Sequence, residues 1–361
     1  MTSERTGSGT IIKDADFFGV QGPEIWRARP DMAAQILMQI LAANYGRHNL
    51  TNDLTPLVED IKASKIQPFI QFSEGEPVAC AALIRMNQFD VEVGRGACLP
   101  GKNGGKGAPL IEATRAWEES SVFPDSDVLR AEVRVAKATK EVPGSHATQV
   151  VCLQKMGLMP TAIAPLFHHG EPDRQELFVL ASKFRSKALL SIYVPKLAPV
   201  PASAFATEDE FIVFSHFWKG VFGRELNVIR MTRREARTKF TTVRGGPLLI
   251  VRPDSFTALA KTKLELPFDQ STRFALARIP LSDDTARITG QIGELREQNF
   301  KLVGFEPVLS DKGFGVDLLM GLLSQDGIAK LVHPSFAEGV FPGEIEDALM
   351  EISLRWRKDS L

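Results

Sequence analysis

Glu92-Val-Gly-Arg-Gly-Ala-Cys-Leu-Pro100 runs into Gly101-Lys-Asn-Gly-Gly105-Lys-Gly107 and then into Ala108-Pro-Leu-Ile-Glu-Ala-Thr-Arg-Ala-Trp117. The first stretch reads as a strand and the second as a turn with little side-chain bulk. The third reads as a helix whose early proline, Pro109, suits a first helical turn. Glycines let several backbone N–H groups approach one anion, and the helix N-terminus adds a partial positive charge. Lys102 and Lys106 reinforce that field, so the chemistry such a turn serves is phosphate binding. A Walker loop is excluded because no Gly-Lys-Ser/Thr closes the spacer, and the strands that precede the turn argue against a βαβ dinucleotide fold.

Other reactive residue types are placed less tellingly. Cys80, Cys98 and Cys152 stand singly inside apolar stretches, with neither metal-ligand spacing nor disulfide density, and free cysteine behaves mainly as a small hydrophobe. His168-His169 stands in an expected loop and reads as a surface pair, so no metal is expected. In Arg130-Ala-Glu-Val-Arg134, strand alternation puts Arg130, Glu132 and Arg134 on one face. That face can line a cleft, or Glu132 can be absorbed in ion pairs with its neighbours.

The elements that must position these residues follow from periodicity. Helices are expected from Asp31 to Asn44 and from Thr55 to Lys65, the second after the capping-type residues Thr51, Asn52 and Asp53. Strands follow at 68–72, 78–86 and 90–99 as an antiparallel meander with a turn at Gly75-Glu-Pro. Beyond the glycine loop come a helix at 108–120, a strand at 128–136, a helix at 145–156 and strands at 159–167 and 176–182. Further on, strands are expected at 248–251 and 274–281, a helix at 284–300, strands at 302–309 and 316–323, and a last amphipathic helix at 343–356. Two segments look like copies of one unit: Gln154 to Phe167 with Glu176 to Ala181, and Glu297 to Leu309 with Val316 to Leu322. The aromatic set Phe211, Phe214, Phe217, Trp218 and Phe222 falls at helical spacing and reads as core, with a hydrophobic acyl or acceptor pocket as the alternative. Arg244-Gly-Gly-Pro247 precedes a strand rather than a helix and lacks cofactor spacing.

A chain of 361 residues exceeds what one core usually serves. The proline-rich Ala198-Pro-Val-Pro-Ala-Ser203 is the natural boundary, a stiff and poorly packed spacer. The expected organisation is a flexible tail at 1–22, a first domain at 23–190, a linker at 191–205 and a second domain at 206–361. With 43 basic and 44 acidic residues the net charge is −1, so no global field favours nucleic acid or an anionic membrane, and neither is expected as a partner. The opening Met1-Thr-Ser-Glu-Arg-Thr-Gly-Ser-Gly-Thr10 has no apolar signal core, and no apolar run approaches a bilayer span. A soluble protein of the reducing cytoplasm is the expectation.

Lys102-Asn-Gly-Gly105-Lys-Gly107 resembles the acetyl-CoA pyrophosphate motif of the GNAT N-acyltransferases, Arg/Gln-x-x-Gly-x-Gly/Ala, with lysine leading. His146-Ala-Thr-Gln-Val-Val-Cys-Leu-Gln-Lys-Met-Gly157 is similar to that family's fourth helix, and the likeness covers residues 24 to 184. Glu92-Val-Gly-Arg95 and His146-Ala-Thr-Gln149 look like the matching motifs of GNAT domains sometimes fused to anti-sigma-type ATP-binding domains. Arg278-Ile-Pro-Leu-Ser-Asp-Asp284 and Gly304-Phe-Glu-Pro307 resemble the degenerate half-GNAT that trails such proteins.

The resemblance implies an α/β (α+β) fold with a mixed central sheet, acetyl-CoA or another acyl-CoA as co-substrate, and direct attack by a small-molecule or peptide amine. The cofactor would lie along Cys98, Leu99, Lys102, Asn103, Gly104, Gly105, Lys106, Gly107 and Ala108, with Gln149 as a further contact. Glu92 stands where family members carry a strand glutamate able to take the amine proton through water. Glu132 is the second candidate base. His146 lies where the family has asparagine, which suits helix capping, a cofactor contact or acid catalysis. The family's acidic tyrosine is missing, with Leu153 in its place and Cys152 beside it. Two alternatives follow: a catalytically weak acyl-CoA-binding regulatory or partner-docking module, or a long-chain N-acyl amino acid synthase.

Overall fold

The computed structural model describes residues 17–45, 53–101, 107–136, 145–167, 175–186, 190–191, 197–230, 240–245, 248–253, 274–281, 284–311 and 313–358. Residues 102–106, the His168-His169 pair and Gly246-Pro247 lie outside them. The fold is mixed α/β, and the chain divides into two compact units, Met1–Ser126 and Asp127–Leu361.

In the first unit, β1 (Gly19–Gln21), α1 (Pro23–Trp26), α2 (Pro30–Tyr45) and α3 (Leu54–Lys62) precede β2 (Ile66–Ser73), β3 (Glu76–Arg85) and β4 (Asp90–Cys98). α4 (Gly107–Glu118) follows. Strands β1 to β4 pair antiparallel in sequence order, which is the expected meander with one added edge strand. That edge draws residues 17–22 out of the anticipated tail: Val20 pairs with Gln71, and buried Phe17 packs edge-on against Trp26. The β2–β3 turn needs positive φ at both central residues, and Glu74 and Gly75 supply 53° and 73°. Trp26, Ile36, Leu37 and Ile40 are fully buried and share a core with Ile70, Cys80 and Ala82. Asp53 caps α3 by accepting from Thr55 N at 2.9 Å.

The second unit begins with β5 (Val128–Arg134) and α5 (His146–Gln149), which continues as a π-helical turn (Val150–Lys155). β6 (Met159–Phe167), β7 (Gln175–Phe184), β8 (Val200–Pro201), α6 (Glu208–Phe222) and β9 (Val228–Ile229) come next. Then follow β10 (Phe240–Gly245), β11 (Leu248–Pro253), β12 (Phe274–Pro280), α7 (Thr285–Arg296), β13 (Lys301–Ser310), β14 (Gly313–Leu323), α8 (Gln325–Ala329) and α9 (Gly343–Lys358). Its strands lie in the order β5-β7-β6-β13-β14-β12-β11-β10, and the sheet is mixed because β11 and β12 run parallel while its other pairs are antiparallel.

One strand–helix–hairpin unit occurs twice in this sheet. β5-α5-β6-β7 is matched by β12-α7-β13-β14, and in each the first strand pairs antiparallel with the second strand of the hairpin. Both helices are followed by a left-handed residue, Gly157 (φ 66°) and Asn299 (φ 65°). Both hairpins carry an irregularity near the start, between Pro160 and Ala162 and between Leu302 and Gly304. The two copies join where Ala162 pairs with Gly304, and the sequence offset between those partners equals that between Gly157 and Asn299. A single cross-sheet row therefore reads Glu132, Leu180, Ala162, Gly304, Leu319, Arg278, symmetric about its middle. Gly304 is obligatory there: φ is 146°, and a Cβ would lie 2.3 Å from Thr161 O.

α6 lies on the joined hairpins with Phe214, Phe217, Trp218 and Phe222 buried, and Phe214, Trp218 and Phe222 ring Phe305 at 5.1–5.5 Å, so the aromatic set is core. Phe211 is the member left outside, 42% exposed. The proline-rich segment is not a loose spacer. Ala198, Val200 and Ala204 are buried, Val200 N donates to Asn227 O at 2.9 Å, and Arg296 Nη2 donates to Ala204 O at 2.5 Å. Prolines that cannot enter a central ladder still pack where their small neighbours admit a covering helix. α7 ends at Arg296, earlier than the apolar pattern implies, because residues 297–300 form the turn around Asn299.

Candidate functional site

In the first unit the informative feature is a break in the ladder of β4. Cys80 pairs with Ala97 but Ala82 pairs with Gly94, so Arg95 and Gly96 together face Ala81. Arg95 has φ of 55°, a left-handed conformation unusual for a long side chain, and it makes the extra residue of a β-bulge. Bulges re-aim side chains locally, and glycines on both sides of Arg95 make this one affordable. Gly94 leaves free the space that the Glu92 carboxylate occupies, since a Cβ there would lie 2.6 Å from Glu92 Oε1. Gly96 does the same for Leu110 of α4, at 3.1 Å.

Glu92 is half-buried, and burial raises its pKa above the ordinary carboxylate value while the Arg95 charge opposes the rise. Among the described residues its carboxylate carries no hydrogen bond or ion pair. A partly desolvated carboxylate with its lone pairs unused is a competent proton acceptor. Burial weakens protonation of the Arg95 guanidinium, against the nearby carboxylates of Glu92 and Asp60. Cys80 is no nucleophile: burial pushes its thiol up to about 12, and it donates weakly to Arg95 O at 3.5 Å.

At the end of β4, Cys98 O accepts from Asn44 Nδ2 at 2.7 Å and Leu99 N donates to Val78 O at 2.8 Å. The strand end is therefore pinned to α2 and β3, and Leu99 packs against the core. Of the expected phosphate cradle, Gly107 and Ala108 open α4 with partial exposure, while Pro109 and Leu110 turn inward. Lys102, Asn103, Gly104, Gly105 and Lys106 lie outside the described residues. A cleft of about 340 Å³ in this unit, lined by Glu24, Arg27, Glu112 and Arg115 among others, contains none of these positions.

The second unit holds the remaining expected residues and gives several of them other work. Gln149 is fully buried; its Nε2 donates to Ser145 Oγ (3.0 Å) and Ser335 O (2.9 Å), and its Oε1 accepts from Ala337 N (2.8 Å). Gln149, expected as a cofactor contact, here brackets α5 and the segment before α9 with its whole amide. His146 is exposed and its Nε2 lies 2.8 Å from Ser335 Oγ; the capping position before α5 belongs to Ser145, whose side chain makes no capping bond. Glu132 is exposed on β5. Its neighbours reach other carboxylates: Arg130 binds Glu306 Oε1 at 2.8 Å, and Arg134 forks onto buried Glu176. Cys152 is buried, with its thiol raised to about 12. Among the described residues, no group of three or more His, Cys, Asp or Glu is placed to hold a metal ion, and no helix is long and apolar enough to cross a membrane.

In the sequence Arg95 stands out only as part of the Glu92-Val-Gly-Arg95 motif. The signal for more is the Gly-Arg-Gly triplet inside a strand, because glycine in a strand interior marks a bulge or a close approach.

No family model matches the sequence, and no curated protein matches it. Among solved structures the chain is similar to GNAT N-acetyltransferases. One is the ribosomal-protein-alanine N-acetyltransferase of Brucella melitensis, at 14% identity and TM-score 0.33, covering 46% of this chain and 98% of that one. A variant of the spermidine N-acetyltransferase of Vibrio cholerae gives 11% and 0.34, over 46% and 94%. YncA of Salmonella typhimurium, solved with its cofactor acetyl-CoA, gives 13% and 0.33, over 47% and 95%.

Proposed function

We propose that the chain is an acyl-CoA-dependent N-acyltransferase of the GNAT type, moving an acyl group, by default acetyl, from coenzyme A to an amine. The observation that carries this reading is the bulged β4. It ends in a glycine-rich loop and the N-terminus of α4, and it presents at its other end a half-buried carboxylate with a raised pKa. In this reading backbone amides of residues 102–108 hold the diphosphate. Glu92 takes the proton of the attacking ammonium, directly or through water, so that the neutral amine attacks the thioester carbonyl. The acyl–sulfur bond breaks as the amide bond forms, and the second proton shed by the nitrogen passes through water to the departing thiolate. The transferase module spans residues 23–190. Residues 206–361 form a degenerate copy, in which Arg278 occupies the row position that Glu132 holds in the first copy.

A specific observation favours a second reading, an acyl-CoA-binding module with weak turnover. The π turn that continues α5 offers Leu153 where an acid is expected, and the adjacent Cys152 thiol is held in its protonated form by burial. Calorimetry with acetyl-CoA, coupled to thiol release over a panel of amines, separates the two. Binding with amine-dependent CoA release is expected. Binding without release assigns the module, and failure to bind any acyl-CoA removes both.

A further inference from the structure

Arg95 is anomalous on energetic grounds. Its Nη1 is closed off from solvent and has no acceptor, and the guanidinium makes no hydrogen bond or ion pair with any described residue. Guanidinium groups that leave water are ordinarily paired, because an N–H without an acceptor forfeits its hydration. This one is also held in a left-handed conformation by a bulge that a regular ladder would lack. A strained backbone that delivers an unpaired cation beside a free carboxylate suits a ligand bearing both opposite charges.

We propose that Arg95 anchors a carboxylate of the amine acceptor, so that the acceptor is an amino-acid-like zwitterion lying with its carboxylate on Arg95 and its amine toward Glu92. The proposal rests on the acyltransferase reading and names its substrate class. Charge balance supports it. Asp60, the other carboxylate near Arg95, has Lys65 Nζ 3.6 Å from its Oδ1, which leaves Arg95 and Glu92 as a neutral pair that a zwitterion matches. A planar guanidinium fits a carboxylate as a fork.

The test uses the full chain and matched acceptors that differ only in the carboxylate: phenylalanine with phenethylamine, and leucine with isopentylamine. Thiol release from acetyl-CoA is followed for the wild type, Arg95→Met and Arg95→Lys, with acetyl-CoA affinity measured by calorimetry for each. The wild type should prefer the amino acid on the order of 100-fold in kcat/KM. Arg95→Met should erase that preference through KM, Arg95→Lys should keep part of it, and acetyl-CoA affinity should hold in both. Removing an unpaired buried cation should not lower the melting temperature of Arg95→Met. Equal use of the decarboxylated amines, or an unchanged KM for amino acids in Arg95→Met, overturns the proposal while leaving the transferase reading intact. If the wild type binds no acyl-CoA, the transferase reading fails instead. Saturation-transfer NMR with the same four compounds then decides on Arg95: saturation transfer selective for the two carboxylates in the wild type and absent in Arg95→Met sustains it, and transfer without that selectivity overturns it.

Discussion

Glu92 shows how one residue's role depends on its neighbours more than on its type. Strand alternation alone makes it a solvated surface group; half-burial over Gly94 and beside Arg95 makes it a carboxyl that resists ionisation. If it is the base, the acidic limb of the rate profile must follow its titration. Activity is lost as pH falls through its raised pKa, so that limb should lie above the ordinary carboxylate value of about 4.3. Glu92→Gln should cost on the order of 10²–10⁴ in kcat and abolish the limb, with acetyl-CoA affinity unchanged. A limb that persists in Glu92→Gln sinks the assignment. The position of Glu92 is legible in the sequence, as is the glycine-rich approach to α4. Its pKa is not, because desolvation depends on how the folded chain buries the carboxyl and on the Arg95 charge beside it. Gln149 makes the converse point. Its motif position suggests a ligand contact, and only the fold reveals Ser335 and Ala337, remote in the chain, as its partners.

At the scale of elements, most helices and strands follow from periodicity, and the exceptions have local causes. The helix expected over 145–156 keeps its length but widens to a π turn from Val150, with Met156 N bonded to Val151 O at 2.8 Å. Periodicity cannot distinguish that from a regular turn, since both bury Val151 and Cys152. β1 is too short to announce itself, and it exists because β2 offers a free edge. The joint between β6 and β13 is the element-scale feature with the sharpest consequence. Gly304→Ala must fit a methyl against Thr161 O and Ala162 while holding φ near 146°. It should destabilise the second unit by roughly 3–5 kcal/mol, read as a lower urea midpoint. A midpoint within error of the wild type contradicts the close approach.

At the scale of the whole chain, a charge cluster ties the two copies of the repeated unit together. Arg130 of the first copy and Arg278 of the second both grip Glu306, and Asp317 stands opposite Glu306 on β14. Burial first, and the Glu306 charge second, lift the Asp317 carboxyl to about 6, against Arg278, Arg252 and Arg130. A carboxyl whose pKa rises on folding contributes stability below its unfolded value of about 3.8 and loses it as pH climbs through 6. Asp317→Asn should therefore raise the melting temperature at pH 7.5 and do so less at pH 5. Partial solvent screening limits the gain to about 1 kcal/mol. A pH-independent effect of the substitution would contradict this. By itself the sequence determines the meander, the glycine-rich passage into α4, the recurrence of one helix-hairpin pattern and the burial of Phe214, Phe217, Trp218 and Phe222 on α6, because each is written in local periodicity and turn chemistry. Tertiary structure decides that the copies share a strand pairing at Ala162 and Gly304, that the proline-rich segment is packed, and that the Arg95 guanidinium finds no hydrogen-bond partner among the described residues. Those outcomes depend on which distant backbones and charges meet, and no local pattern of residues encodes such meetings.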